Sequence, residues 1–578
     1  MTQFCNATIA IPGTNIVVPT DGVSDCSPAM QAALTRAGAV ASANNIQIVK
    51  LPPGQFHYHS SLSVPSYVAG AGSGSGSTGS NDPTATVCYN NQTAGPGTNI
   101  FPQLFQFGGS FNFAYGGTTN ALIRGANEID VTTAYWEPIE AAGLYKYGTS
   151  FMIVVAETND PNLWELQGYA GEGALNNGSN VLSQVMTVTN LLTNGNCVRI
   201  FTKQPFYYSY GLTNHPMVQP AGQQCFNAGI RDLEIAYVSG NPASSTGPVT
   251  FFNSLNCWAY NVHVYRAPSD CFFLNQCTQC TISTCWGEVS AYNGSGRGYQ
   301  FHLFGPNSDI MVENCIAQQA RHSFIEESAF GGNVWFANYA IGDCNSQETS
   351  STLTGDFVSH SAGCGMDLLE ENFGHIWWSD YLHGNALMRS AFRNWLTGGS
   401  QNPPDPLGDT NYPNGFTVAF NRTGAYIAPT NWYFNGLDNI LGTPYFNNYS
   451  GATYTNSSST ISFTYAWMVG VDNNVNQAQT DGNSWNTLYQ DGNKDFVNGP
   501  TGETRWITSP HSFSATAVAQ YVSAIPSYFG YPTNQLGVTL PMYGSDVSVS
   551  PYNPAQLRWY AANGITFPVK KYLPVYNH

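Results

Sequence analysis

Charge is the scarcest property of this chain. Asp, Glu, Lys and Arg make up only 9% of its 578 residues, and the balance is acidic, with a net charge of −17. Basic patches that would neutralise phosphates are absent from such a composition, which argues against nucleic acid and anionic membrane surfaces as partners. No apolar run reaches the roughly 18 residues that a transmembrane helix needs. The N-terminus, Met1-Thr2-Gln3-Phe4-Cys5-Asn6, lacks both a basic n-region and an apolar h-region, so no signal peptide is expected in this sequence. The expectation is a protein assembled in the cytoplasm, as virion parts are, or one whose signal has been removed. It would act outside the cell or on a virion.

A paired disulfide framework is also missing. Thirteen cysteines is an odd number, and six of them (Cys257, Cys271, Cys277, Cys280, Cys285 and Cys315) crowd one region. Cys277-Thr278-Gln279-Cys280 has the spacing of a zinc or redox pair, but no second such pair and no histidine pair follow. Small thiols stacked in a core are the better reading, and no metal ligand set is assigned.

What the chain does have is glycine (58), tyrosine (34) and a recurring phrase: an apolar residue, a variable one, a polar one, then Cys or an aromatic. It reads Ile282-Ser283-Thr284-Cys285, Val312-Glu313-Asn314-Cys315, Phe336-Ala337-Asn338-Tyr339, Trp378-Ser379-Asp380-Tyr381 and Phe392-Arg393-Asn394-Trp395. The steps are 30, 24, 42 and 14 residues, so the third is long enough for two short turns and the last is too short for one. Recurrence at this period marks a solenoid whose units bury their apolar faces only against neighbours. The phrase alternates as a strand does, and asparagines at one corner would stack as an amide ladder. The fold class expected is all-β: a parallel β-helix solenoid.

Upstream, Ser27 and Pro28 open a helix with an apolar stripe of Met30, Ala33 and Leu34. The strand Ile46–Lys50, the turn Leu51-Pro52-Pro53-Gly54 and the strand Gln55–His59 follow. Together with Asp21-Gly22-Val23-Ser24-Asp25, this segment of about 45 residues resembles the N-terminal cap of the pectate-lyase-like right-handed β-helix superfamily. The resemblance implies a right-handed coil with an N-terminal helical cap that plugs its open end. A cap is physically necessary, since a solenoid end exposes unpaired strand edges. The expected organisation is 1–68, cap and first turns; 69–226, a Gly/Ser-rich loop and then an insertion or irregular early turns; 227–464, the β-helix core; 465–578, an irregular C-terminal tail packing on the solenoid.

A groove along flat parallel strands suits an extended polymer, and aromatic side chains (14% of the chain) stack on sugar rings. Polysaccharide is therefore the partner expected. Trp377 and Trp378 are adjacent, so one should face the core and the other could bind sugar. Asp367, Glu370, Glu371 and Asp380, with His375 and His383 nearby, are the densest acidic cluster. Hydrolysis of a glycosidic bond needs two carboxylates about 5–10 Å apart, and rungs about 4.8 Å apart can supply that spacing. Lyase chemistry would instead need a base and a cation, Arg or Ca²⁺. The candidate catalytic residues are Asp367, Glu370, Glu371, Asp380 and His383; the substrate-binding candidates are Trp377, Trp378 and His375. No cofactor is required by this reading, and Ca²⁺ is the one candidate ion.

Simpler roles compete with each. Asp380 occupies the recurring polar position and would be a ladder member, His375 and His383 ordinary hydrogen-bonded histidines, and Glu326, Glu327 and Asp356 solvated turn residues. Polygalacturonases of the superfamily carry Asn-Thr-Asp, Asp-Asp, Gly-His-Gly and Arg-Ile-Lys segments. None is intact here, and Gly374-His375-Ile376 keeps two thirds of one. Two functions stay open: a polysaccharide-binding protein that cleaves an acidic polysaccharide as lyase or hydrolase, and a non-catalytic structural or receptor-binding protein of a virion appendage or filament. Tailspike-type members are trimers, so the resemblance implies a homotrimer or other homo-oligomer.

Overall fold

The structure, a computed structural model, describes residues 7–11, 14–18, 24–75, 84–90, 103–109, 112–141, 151–156, 182–237, 246–290, 296–343, 355–398, 423–442, 466–470, 481–495, 499–505, 543 and 553–563. The N-terminal hexapeptide and the tail segments Ile525–Gly530 and Gly544–Val547 lie outside them.

The chain winds into a right-handed parallel β-helix. One wall is a ten-stranded parallel stack running from Leu62–Val64 through Phe272–Asn275, Tyr299–Phe304, His322–Glu327, Phe357–Ser359 and Trp377–Ser379 to Trp467–Val469. A second wall bends into two parallel lines. One contains Thr281–Ser283, Met311–Glu313, Val334–Phe336, Leu368–Glu370 and Ser390–Phe392; the other contains Trp286–Glu288, Ile316–Gln318, Tyr339–Ile341, Phe373–Gly374 and Trp395–Leu396. A short third line stacks Cys225–Phe226, Ser254–Leu255, Cys277–Thr278 and Asn307–Ser308. Coil strands also lie on either side of residues 227–464, as at Gln47–Lys50, Val68–Ala71 and Tyr489–Asp495. The glycine-rich stretch expected as a loop from Ala69 therefore begins as a strand.

The bend of the second wall has a local cause. In nine successive rungs the residue at that corner is left-handed: Asp232, Asn261, Thr284, Asn314, Ala337, Glu371, Arg393, Asp438 and Gly492, with φ between 50° and 64°. Each costs a side-chain-bearing residue roughly 1–2 kcal/mol, and in the last five rungs the next position offsets it. There Asn338, Asn372, Asn394, Asn439 and Asn493 stack, each amide nitrogen donating to the next amide oxygen at 2.9–3.0 Å. Each oxygen also accepts the backbone N–H of the residue one rung earlier, as Asn338 does from Cys315 at 2.9 Å and Asn372 from Asn338 at 3.0 Å. The predicted ladder thus exists, with corrections to its membership. Asn314 is the left-handed corner residue, and Cys315, not Asn314, is stacked above Asn338. Trp378-Ser379-Asp380-Tyr381 belongs to the ten-stranded wall, so Asp380 is not in the ladder. The stray match in the phrase is this one, and Phe392-Arg393-Asn394-Trp395 is genuine.

Inside the coil, Phe272, Phe301, Phe324 and Phe357 stack ring on ring at 4.9–5.1 Å, within 12° of parallel. Centroid spacing equals rung spacing, so each ring fills its own layer. Cys277 and Cys280 are buried in this core with their thiols on the carbonyls of Phe251 and Ser254, which is the stacked-thiol arrangement read from the sequence.

The cap helix is Ser27–Val40, with Pro28 in its first turn. Ser27 begins the helix rather than preceding it. Its hydroxyl donates to Asp25 at 2.6 Å and accepts the backbone N–H of His59 at 2.8 Å, tying the helix to the first rungs. Between the coil strands, six strands form an antiparallel sheet in the order Glu128–Thr132, Cys197–Thr202, Ser183–Asn194, Phe151–Ala156, Met217–Pro220, Gly116–Gly117. Its apolar face closes over Phe330 and Leu387 of the coil. In the tail, Pro554–Ala562 is a helix capped by Asn553, and Trp559 bonds Gln318 at 2.7 Å, covering the second wall. Among the described residues no helix is long and apolar enough to cross a membrane.

Candidate functional site

Strand alternation sends every second side chain of the ten-stranded wall outward. One outward row is Phe273, His302, Ile325, Val358, Trp378 and Tyr426. The row beside it holds Glu327, and the register of Glu326, Ser359 and Ser379 places His360 and Asp380 directly in line with it. Glu327 and Asp380 are therefore two rungs apart on one face, about 10 Å along the stack, with His360 between them.

These groups are wired together. His302 lies 2.8 Å from Asp270 and 3.2 Å from Glu327. His360 lies 2.5 Å from Asp380, whose other oxygen accepts the backbone N–H of Leu382 at 3.1 Å. The His383 ring meets His360 edge-on at 4.9 Å, and Tyr299 meets His302 edge-on at 5.0 Å. Arg321 sits 6.0 Å from the Tyr299 ring. Trp378, Tyr381 and Tyr426 form the apolar part of this face. The site is recessed: Glu327, His360 and Asp380 keep 5%, 6% and 7% of their surface, while His383 and Arg321 are half-buried.

Charge follows from the pairing. Burial alone would depress His302, but Glu327 and Asp270 outweigh it and raise the imidazole to about 9. Burial also depresses His360, and Asp380 and then Glu327 carry it above its ordinary value. Glu327 is pushed up by burial and pulled lower still by His302, His360 and His383, ending below its ordinary value. His322 is held well below its ordinary value by burial, then by Arg321 and His360. At neutral pH the face therefore presents an ionised Glu327 beside a protonated His302, with His360 shifted towards its protonated form. A carboxylate that can accept a proton and an imidazolium that can donate one are the two partners of acid–base chemistry.

The eight residues singled out from the sequence are scattered over the coil. Asp380, His383 and Trp378 share the outward face just described. Trp377 faces inward, packed among Phe434 and Trp467. Asp367 is also inside, with Glu326, on either side of Arg389. Burial, then the Glu326 charge, holds the Asp367 carboxyl well above its ordinary value. Glu370 is fully buried in the second wall, in register between Phe336 and Phe392. Glu371 takes the left-handed corner and accepts the backbone N–H of Tyr543 at 2.9 Å, anchoring the tail. His375 stands at another corner, 2.6 Å from Asp356. The acidic cluster around 367–380 is thus not one constellation. Glu326 and Glu327, expected in a solvated turn, lie buried in a strand, and Asp356 is fully buried. The reading missed His302, His360 and Asp270, because partners one rung apart are 20–32 residues apart in sequence.

No family model matches this sequence, and no curated protein is similar to it. Solved structures are similar in fold. The tailspike of Pseudomonas phage LKA1 matches at 14% identity and a TM-score of 0.44, over 72% of this chain and 63% of that one. The tailspike of Pseudomonas phage phi297 matches at 10% identity and 0.42, over 72% and 58%. The tailspike of E. coli bacteriophage HK620, solved with a pentasaccharide, matches at 11% and 0.37, over 75% and 56%. The chain thus spans less than two thirds of the length of each, and what they share with it is the coiled parallel β fold.

Proposed function

We propose that this protein binds a polysaccharide along the outward face of the ten-stranded wall and hydrolyses it there. The observation that carries the reading is the pair Glu327 and Asp380, two rungs apart on one face and bridged by histidines. Glu327 and His360 stand on adjacent rungs, about 5 Å apart along the stack, so a base and an acid can both reach one glycosidic bond. In this reading Glu327, held ionised, activates the water, and the His360 imidazolium, oriented by Asp380, protonates the leaving oxygen. His383 and Arg321, the more exposed members, meet the polymer first, and Trp378 and Tyr381 supply the apolar surface a sugar ring needs. The protonated His302 and Arg321 suit an acidic polysaccharide, and the protein would act outside the cell or on a virion, as a homo-oligomer.

The near-complete burial of the same groups favours a second reading, in which the network is a structural device of a non-catalytic binding protein. Incubation with a panel of acidic and neutral polysaccharides separates the two. New reducing ends without unsaturated uronate absorbance support hydrolysis. Ends with absorbance replace it by elimination, and binding without products supports the non-catalytic reading.

A further inference from the structure

A second polar cluster lies at the corner where the second wall turns into the ten-stranded wall. Asp343 follows the strand Tyr339–Ile341, Asp356 precedes Phe357–Ser359, and His375 precedes Trp377–Ser379. Two consecutive rungs thereby bring together residues 13 and 19 positions apart in sequence. One donor atom from each of the three lies within 4.8 Å of the others. Donors around a small divalent cation, at bonds of about 2.1 Å, are about 3–4 Å apart, so modest side-chain adjustment closes the set.

Two observations point to a ligand beyond the cluster itself. Asp356 is fully buried, its Oδ1 meets no N–H or O–H donor among the described residues, and the Asp343 carboxyl stands within hydrogen-bond reach of the Asp356 carboxyl, a contact that needs a proton or a cation between the two. A buried carboxylate oxygen without a donor costs roughly 1–3 kcal/mol or more. Its other oxygen is already occupied by the His375 ring and the His375 backbone N–H. The surroundings are also prepared. Ser323 orients Asp343, its hydroxyl donating at 2.7 Å and its backbone N–H at 3.1 Å. Gly374 leaves the space: a Cβ there would stand 2.5 Å from the Asp356 oxygen.

We propose that Asp343, Asp356 and His375 bind a divalent first-row metal ion such as Mn²⁺ or Zn²⁺, pinning this corner of the coil. Two carboxylates and one imidazole make a mixed oxygen–nitrogen set, which suits these ions. Ca²⁺ prefers six to eight oxygens and is disfavoured. Asp343 and His375 keep 6% and 5% of their surface, so the site has an edge through which an ion enters.

The test is calorimetric titration of the chelator-stripped full-length protein with MnCl₂, ZnCl₂ and CaCl₂, paired with thermal unfolding. One equivalent of Mn²⁺ or Zn²⁺ should bind and raise the unfolding temperature. Asp343→Asn, which keeps the shape, and His375→Gln should each weaken that binding at least tenfold. Absence of saturable binding overturns the proposal, leaving a proton shared between the two carboxyls. So do unchanged affinity in both variants, which would place the ion elsewhere, and a response to Ca²⁺ alone.

Discussion

At the scale of single residues, the coil depends on buried polar groups whose partners are supplied by the next rung. Asn372 shows this most clearly: it donates to Asn394 at 2.9 Å and to the Trp335 carbonyl at 2.8 Å, and accepts from Asn338. Asn372→Ala removes these bonds and leaves the Asn338 amide and the Trp335 carbonyl buried without them. The expected loss is about 2–3 kcal/mol, measured as a lower denaturation midpoint. The ladder was half legible in the sequence. Asn338 and Asn394 fit the phrase because an apolar residue precedes and an aromatic follows. Asn372 escaped because Glu370 fills the apolar position, and Asn439 because Ile440 follows it in place of an aromatic. Arg389 makes a different case. It stands inside the coil between Glu326 and Asp367, with Ser359 accepting from it at 2.7 Å. Arg389→Met strands the carboxylates and should cost about 3–5 kcal/mol. The triple change Glu326→Gln, Asp367→Asn, Arg389→Met should cost clearly less. Equal losses in the two would show that the ion pairing is not what matters at this position.

At the scale of strands and stacks, the ionisable groups of adjacent rungs titrate as networks. His302 is raised to about 9, and His263, fixed by Glu234 and Glu288 against the pull of burial, to about 10. A histidine whose folded value exceeds its unfolded value of about 6.5 stabilises fully below that pH. The contribution is lost as pH rises through the folded value. The unfolding temperature should therefore fall between about pH 6.5 and 10, and His302→Gln should flatten the part of that decline below pH 9. Glu327 has the opposite sign: its depressed value adds stability above about pH 4.5 that disappears on acidification. These pairings were illegible in the sequence for a geometric reason. Neighbours in a strand point to opposite faces, so residues close in sequence, such as Trp377 and Trp378 or Glu326 and Glu327, part company. Residues such as Asp270, His302 and Glu327 meet only because three consecutive turns stack them. A linear cluster such as 367–380 therefore samples the interior, the corner and two outer faces at once.

At the scale of the molecule, the solenoid and its cap were readable because they rest on local rules: periodicity, turn chemistry, and a helix opened by Ser27 and Pro28. The six-stranded antiparallel sheet has no period to detect, and its core is completed by Phe330 and Leu387 of the coil, more than a hundred residues onward. The tail, expected to be irregular, carries a helix opened by Asn553-Pro554, a capping residue followed by proline, and its purpose is visible only in the fold. Trp559 seals the second wall by bonding Gln318 and meeting Tyr339 at 5.9 Å. Trp559→Ala should cost about 3–5 kcal/mol and leave polysaccharide binding intact, since the proposed groove lies on another wall. The assignment of function to that groove is tested most directly by following reducing-end release from an acidic polysaccharide by the wild type, Glu327→Gln and Asp380→Asn. The account predicts release by the wild type and at least a hundredfold loss in each variant, with binding retained. Release by both variants at the wild-type rate, or none from any polysaccharide by the wild type, would contradict it.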